Sequence, residues 1–251
     1  LPKELAGDPQ KVIVTGANSF VGVHIVEALL AGGATEVACL VREEPGHSAT
    51  ERFAQALREY RLEHLDLSRI RVFAADISLP RLGLTVDVYD ALAEGFGVLV
   101  HNAARVNHVM DYVSLAKDNV EPIFECLRLC ETRRKKVLNF ISTLSASSSV
   151  DSQGNVLEAP AAATLPLYIK NGYNLSKWVA EQHLGRAVSQ GAWVNIHRPG
   201  NISFNSRNGV CRPQKNRLML MLKGSLQLGL LPRLDLNFDL MPVDFLARFI
   251  A

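Results

Sequence analysis

The chain has 251 residues, 48% of them hydrophobic, and a formal net charge of +2 at pH 7. Length and apolar content suffice for a full core, as one large domain or as one domain with a small lobe. A charge so small argues against nucleic acid as a partner, no stretch approaches the ~20 uncharged apolar residues that span a bilayer, and Leu1-Pro2-Lys3-Glu4-Leu5 lacks an export pattern. The cytoplasm is the default location.

In chain order, apolar runs bounded by turn or charged residues predict strands over Lys11 to Thr15, Glu36 to Val41, Ile70 to Ala74, Val98 to Asn102, Lys136 to Ser142 and Trp193 to His197. Between them the clearest helical patterns are Phe20 to Ala31, stopped by Gly32-Gly33, then Ala49 to Glu63, Val120 to Thr132 and Asn174 to Ser189. Strand and helix alternate, which predicts an α/β fold with a doubly wound parallel sheet. After Pro199-Gly200 the alternation fades into a loop, an amphipathic helix around Arg217 to Leu228 and a last helix begun near Asp244. Residues 1–200 therefore read as one α/β domain and 201–251 as the start of a smaller lobe, cut short at Ala251 inside an apolar helix. The basic run Arg133-Arg134-Lys135-Lys136 reads as a solvated helix end, and Cys39, Cys126, Cys130 and Cys211 as small hydrophobes rather than metal ligands or disulfide partners.

The first strand leads into Thr15-Gly16-Ala17-Asn18-Ser19-Phe20-Val21-Gly22, which then opens a helix. Glycine in such a turn lets backbone amides approach a pyrophosphate at a helix N-terminus. Gly16 and Gly22 supply two of three expected glycines, and Ser19 takes the middle place. After the second strand Val41 is followed by Arg42, whose guanidinium suits a ribose 2'-phosphate, so NADPH is preferred over NADH despite Glu43 and Glu44 nearby. Asp76, with Ile77 beside it, stands where the adenine would lie, and a capping role before Ser78 is the other reading. His101-Asn102-Ala103-Ala104 puts small residues where the chain passes the cofactor. Ser142, Ser145 and Ser147 lie at the fifth strand's carboxyl edge, and spacing does not choose among them; His108 and His197 read as structural.

Tyr173 and Lys177 stand four apart, on one face of a helix. At that spacing the ammonium favours the phenolate and makes the phenol a usable acid near neutral pH.

These stretches resemble the extended short-chain dehydrogenases/reductases, with their Rossmann sheet. Within that group they resemble the thioester reductase domains that end nonribosomal peptide synthetases, polyketide synthases, carboxylic acid reductases and aminoadipate reductases. The resemblance rests on Val14-Thr15-Gly16-Ala17 through Phe20-Val21-Gly22, Cys39-Leu40-Val41-Arg42, His101 through Asn107, and Ile141-Ser142-Thr143-Leu144-Ser145. It continues through Tyr173 to Glu181, His197-Arg198-Pro199-Gly200 and Pro242-Val243-Asp244. Ser19, and Glu121-Pro122 in place of small residues, depart from the family pattern.

The resemblance implies a catalytic Thr143, Tyr173 and Lys177, and a cofactor contact at Pro199 and Gly200. It further implies NADPH-dependent reduction of a phosphopantetheine-bound acyl or peptidyl thioester to an aldehyde, or on to an alcohol. An acyl or peptidyl carrier protein is the implied partner, met by Arg212, Lys215 and Arg217, and Lys177 is expected to lower the Tyr173 pKa. Two other readings stand beside this one: an extended reductase, dehydrogenase or epimerase acting on a free small molecule or acyl-CoA, and a noncatalytic NADP-binding module.

Overall fold

The computed structural model describes residues 4–231, 233 and 239–251, so the first three residues of the N-terminal stretch read above lie outside the described residues. Six strands, β1 (Asp8–Thr15), β2 (Glu36–Val41), β3 (Ile70–Ala74), β4 (Phe96–His101), β5 (Val137–Ile141) and β6 (Val194–His197), form one sheet in the order β3-β2-β1-β4-β5-β6. Every pair is parallel. Eight helices accompany them among the described residues: α1 (Phe20–Ala31), α2 (Ala49–Glu59), α3 (Val86–Gly95), α4 (Tyr112–Asn119), α5 (Glu121–Glu131), α6 (Gly172–Ser189), α7 (Arg217–Leu228) and α8 (Val243–Ile250).

The core has two halves because a strand turns successive side chains to opposite faces. Val12, Val14, Val37, Cys39 and Val41 pack with α1, α2 and α8. Ile13, Ala38, Leu40, Leu99 and Phe140 pack with α3, α5 and α6. Cys126 and Cys130 lie buried on α5, both as free thiols. Strand order reverses between β1 and β4, so the chain leaves their carboxyl ends in opposite directions and opens a crevice there.

Of the expected helices, α1 has the expected bounds and α2 is shorter. It stops at Glu59 rather than Glu63 because Arg61 takes a left-handed φ of 59°, and the Leu62 amide closes on the Leu57 carbonyl at 2.8 Å. β4 begins two residues earlier than expected and releases Asn102, whose side chain leaves the ladder to bond elsewhere. The break between α4 and α5 falls at Val120, with Pro122 in the first turn of α5, where its missing N–H costs no helical bond.

Beyond β6, β7 (Asn201–Ile202) and β8 (Leu240–Met241) form a small parallel pair. α7 is capped by Asn216 and ended by Gly229 at φ 66°. α8 turns back to the main sheet and buries Leu246, Ala247 and Ile250 in the α1 half of the core. No helix among the described residues is long and apolar enough to cross a membrane.

Candidate active site

The β1–α1 turn is built to bring backbone amides to the crevice. Gly16 has φ +63°, and a Cβ there would lie 2.8 Å from the Ala103 Cα. A Cβ on Gly22 would lie 2.2 Å from the Gly16 carbonyl oxygen. Close backbone approach therefore requires both glycines, and at Gly16 the left-handed φ requires one as well. Ser19 needs no such freedom: at φ −80° and ψ 165° it is the N-cap of α1, and its hydroxyl accepts from the Gly22 amide at 3.0 Å. The amides of Phe20 and Val21 are the remaining donors of that first turn.

Two residues expected at the cofactor, Thr15 and Asn102, also hold the turn. The Thr15 hydroxyl is buried between the His101 ring, 2.8 Å from Nδ1, and the Ala103 amide, which donates to it at 3.1 Å. The Asn102 side-chain amide donates to the Gly16 carbonyl at 3.1 Å and to the Ser19 hydroxyl at 2.9 Å. Sequence spacing places Asn102 and Ala103 near the ligand; the structure adds that they lock β4 to the turn. Ala104 follows, half-buried.

At the far end of the crevice, Arg42 is exposed just past β2. Arg52, ten residues on in α2, donates to the Arg42 carbonyl and pairs with Glu44 at 2.6 Å. Glu44, one of the two acidic residues that weighed against a 2'-phosphate, is thus already paired. Sequence reading missed Arg52, although a second arginine one strand–helix turn after Arg42 was a visible signal. A hollow of about 410 Å³ lies here, lined by Asn18, Ser19, His47, Arg52 and Arg212 among others. Arg212 faces Glu59 at 3.6 Å, and the side chains of Lys215 and Arg217 lie outside the described residues.

Asp76 is a turn cap as well as a candidate contact: one oxygen accepts from the Ser78 amide at 2.9 Å and the Ser78 hydroxyl at 2.7 Å. Burial opposes its charge, but these bonds and the nearby Arg42 and Lys117 hold the carboxyl below the usual range. Ile77 beside it is half-buried against the α3 half of the core.

α6 carries Tyr173 and Lys177, and starts from an Asn171 cap that accepts the Asn174 amide at 2.8 Å. Gly172 admits the chain of residues 110–112, since a Cβ there would meet the Met110 carbonyl oxygen at 2.4 Å. Asn119 adds a second tie, holding Arg105 by both its amide and its carbonyl and donating to the Ser176 hydroxyl at 3.0 Å. The loop after β4 is therefore clamped to α6. His108, on that loop, stands edge-on to Tyr173 with ring centroids 5.3 Å apart. The structural reading of His108 did not anticipate this contact.

The expectation that Lys177 depresses the Tyr173 pKa is not met in this arrangement. Burial pushes the Tyr173 phenol up to about 12. The Lys177 ammonium donates to the Ile141 carbonyl at 2.7 Å, above the Phe140 ring, and burial lowers it to about 7 against the opposing pull of Glu181. Desolvation disfavours the charged form of each group. At neutral pH Tyr173 is consequently a neutral phenol, the form a proton donor requires.

Thr143 is half-buried just past β5 and caps a short turn, its hydroxyl 3.4 Å from the Ser145 amide. The structure separates the three serines near it. Ser142 is buried and donates to Glu181 at 2.5 Å, Ser147 is buried, and Ser145 is exposed. Pro199 accepts the Leu144 amide at 2.8 Å, and a Cβ on Gly200 would overlap the Asp239 carboxylate at 1.7 Å. His197 is structural, with Nε2 2.9 Å from Asn139 Oδ1 and Phe249 packed edge-on. His101 is held neutral, its pKa lowered to about 3 by burial and by Lys177. Among the described residues, no group of three His, Cys, Asp or Glu side chains is placed to hold a metal ion.

Comparison with known proteins places these features. The NAD-binding family model described as Male sterility protein matches residues 14–250. The isonitrile lipopeptide synthase of Streptomyces coeruleorubidus is 34% identical over 246 residues, 97% of this chain and 16% of that protein. The L-2-aminoadipate reductase large subunit of Penicillium chrysogenum is 29% identical over 253 residues, 95% of this chain and 18% of that protein. The chain thus spans less than a fifth of either relative. Among solved structures, the terminal R domain from the myxalamid PKS-NRPS biosynthetic pathway superposes with a TM-score of 0.85 at 31% identity, covering all of this chain and 66% of that one.

Proposed function

Because this chain belongs to the Male sterility protein family of NAD-binding domains, we propose that it is an NADPH-dependent reductase that releases an acyl or peptidyl thioester from a carrier protein as an aldehyde. The observation that carries the reading is the joint placement of Tyr173, Lys177 and Thr143 at the carboxyl edge beside the β1–α1 turn. The glycine cradle, the two orphan amides of α1 and the Arg42–Arg52 pair fit a dinucleotide bearing a 2'-phosphate. We take residues 1–200 as the cofactor-binding unit and 201–251 as part of a substrate lobe, of which α8 leans on α1.

When bound, NADPH supplies the hydride that adds to the thioester carbonyl carbon. The Thr143 hydroxyl and the Tyr173 phenol hydrogen-bond the carbonyl oxygen as negative charge develops on it. Tyr173 then gives that oxygen its proton, and the protonated Lys177 stabilises the tyrosinate left behind. The resulting hemithioacetal loses its thiol as an aldehyde forms, which frees the pantetheine arm. The carrier protein and its phosphopantetheine are the partner this chemistry requires.

The test is a fluorescence titration with NADPH and with NADH, followed by addition of an acyl-pantetheine thioester while nicotinamide absorbance is recorded. Tighter binding of NADPH and thioester-dependent oxidation are expected. Binding without oxidation by this chain and by a C-terminally extended one would instead favour the noncatalytic reading.

Arg42→Ala is expected to weaken NADPH binding about 10- to 100-fold, the worth of one charge-assisted bond to phosphate. The same change should leave NADH affinity within about threefold, so the ratio of the two dissociation constants is the measurement. The pH dependence has its own sign: burial lowers the Lys177 pKa to about 7, so the ammonium form predominates below that pH. kcat/KM should therefore be level below pH ~7 and fall about tenfold per unit above it.

A further inference from the structure

Lys177 has a charged neighbour on its own helix face that the proposed reaction does not use. Glu181 lies one turn further along α6, so Tyr173, Lys177 and Glu181 form one stripe. It is 1% exposed, and both carboxylate oxygens are engaged. Oε1 accepts from the Ser142 hydroxyl at 2.5 Å and from Arg198 Nε at 3.2 Å. Oε2 accepts from Arg198 Nε at 3.1 Å and from Nη2 at 2.7 Å. The remaining Arg198 Nη1 donates to the Ala159 carbonyl at 3.0 Å, in the long segment between β5 and α6.

Each partner adjoins a residue of the proposed site. Ser142 precedes Thr143, and Arg198 precedes Pro199 and Gly200. A buried ion pair of this kind gives little net stability, since desolvating both charges offsets their attraction. Its value lies in geometry, because the fork of Arg198 and the fixed carboxylate allow few arrangements.

We infer that Glu181 is a positioning residue of the reductase: by gripping Ser142 and Arg198 together, it sets the distances between Thr143, Lys177 and the Pro199–Gly200 segment around the reacting carbonyl. This rests on the reductase reading above. Glu181 touches neither substrate nor cofactor in this role and acts through its neighbours. Its charge also opposes the burial that lowers the Lys177 pKa, which favours the ammonium form.

The test uses Glu181→Gln and the charge-balanced double variant Glu181→Met with Arg198→Met, which removes the grip without stranding a buried guanidinium. Thermal melting, the NADPH dissociation constant, and kcat and KM for an acyl-pantetheine thioester are measured against the unaltered chain. Both variants should bind NADPH within about threefold and keep KM within about threefold. kcat should fall about 100-fold, the cost of misplacing reacting groups by roughly 1 Å. If the double variant melts cooperatively and its kcat stays within threefold, Glu181 is only a structural anchor and the inference is overturned. If the unaltered chain itself, in a C-terminally extended form, shows no thioester-dependent oxidation, the reductase reading fails and the inference falls with it, so the two failures are told apart by which arm loses turnover.

Discussion

Tyr173→Phe is expected to lower kcat for thioester reduction by 10²- to 10⁴-fold, the usual contribution of a positioned general acid. The substitution removes one oxygen and keeps the ring, so the edge-on contact with His108 and the helix cap at Asn171 persist. The reason to expect so large an effect is the burial of the phenol, 9% exposed, with its pKa pushed up to about 12. A protonated donor in a partly dry site faces little competition from water for the oxygen that takes the proton. NADPH affinity should change little, because the contacts proposed for the cofactor are chiefly the β1–α1 turn and the arginines. Stopped-flow oxidation of NADPH alongside a fluorescence titration separates the two quantities. Turnover within about threefold of the unaltered chain would sink the proton-donor assignment.

Gly22→Ala should abolish cofactor binding at working concentrations, weakening NADPH by at least about 100-fold. The new methyl group would meet the Gly16 carbonyl oxygen at 2.2 Å and the Ala17 carbonyl carbon and Cα at 2.9 Å. All three are backbone atoms, which cannot rotate out of the way, so the turn itself must open. Opening it breaks the Ser19 cap on the Gly22 amide and misdirects the Phe20 and Val21 amides. Two bonds to a charged phosphate, each worth about 1.5–3 kcal/mol, are then lost or bent. Overpacking adds about 1–3 kcal/mol of lost stability. Gly185→Ala is the control: nothing lies within 4 Å of where its methyl group would stand on α6, so stability should hold or rise while NADPH binding is unchanged. Equal NADPH affinity in the two variants would remove the turn from the cofactor site.

The sheet and its order of helices were legible because a buried parallel strand is a run of apolar residues and an amphipathic helix repeats at 3.6, and both patterns are local. The capping role of Ser19 at the start of α1 emerged only in the structure, whereas the end of α1 was readable from Gly32-Gly33. The early end of α2 was not, since it depends on Arg61 taking a left-handed conformation so that Leu62 closes on Leu57 and buries its side chain. The short helices α3 and α4 were not singled out either: each spans only about two or three turns, and α4 is held by α5 and α6 rather than by a long apolar stripe of its own.

At the site, residue type and spacing nominated Gly16, Gly22, Arg42, Tyr173 and Lys177, because their chemistry is carried by single residues at fixed offsets. Other features join residues far apart in the chain. Thr15 and Asn102 are locks between β1 and β4, Arg52 neutralises Glu44, His108 meets Tyr173, and Glu181 grips Ser142 and Arg198. The pKa of Tyr173 also reversed its expected direction, since burial is a property of the folded surroundings and the spacing of two residues on a helix does not contain it.

The amino-acid sequence by itself determined the parallel α/β plan, the phosphate-binding turn and the tyrosine–lysine pair, all of which rest on local periodicity and short-range spacing. The tertiary structure alone decided which polar side chains face the crevice and which are consumed in holding it open. That division depends on desolvation and on contacts between strands distant in the chain, as between Thr15 and His101, 86 residues apart.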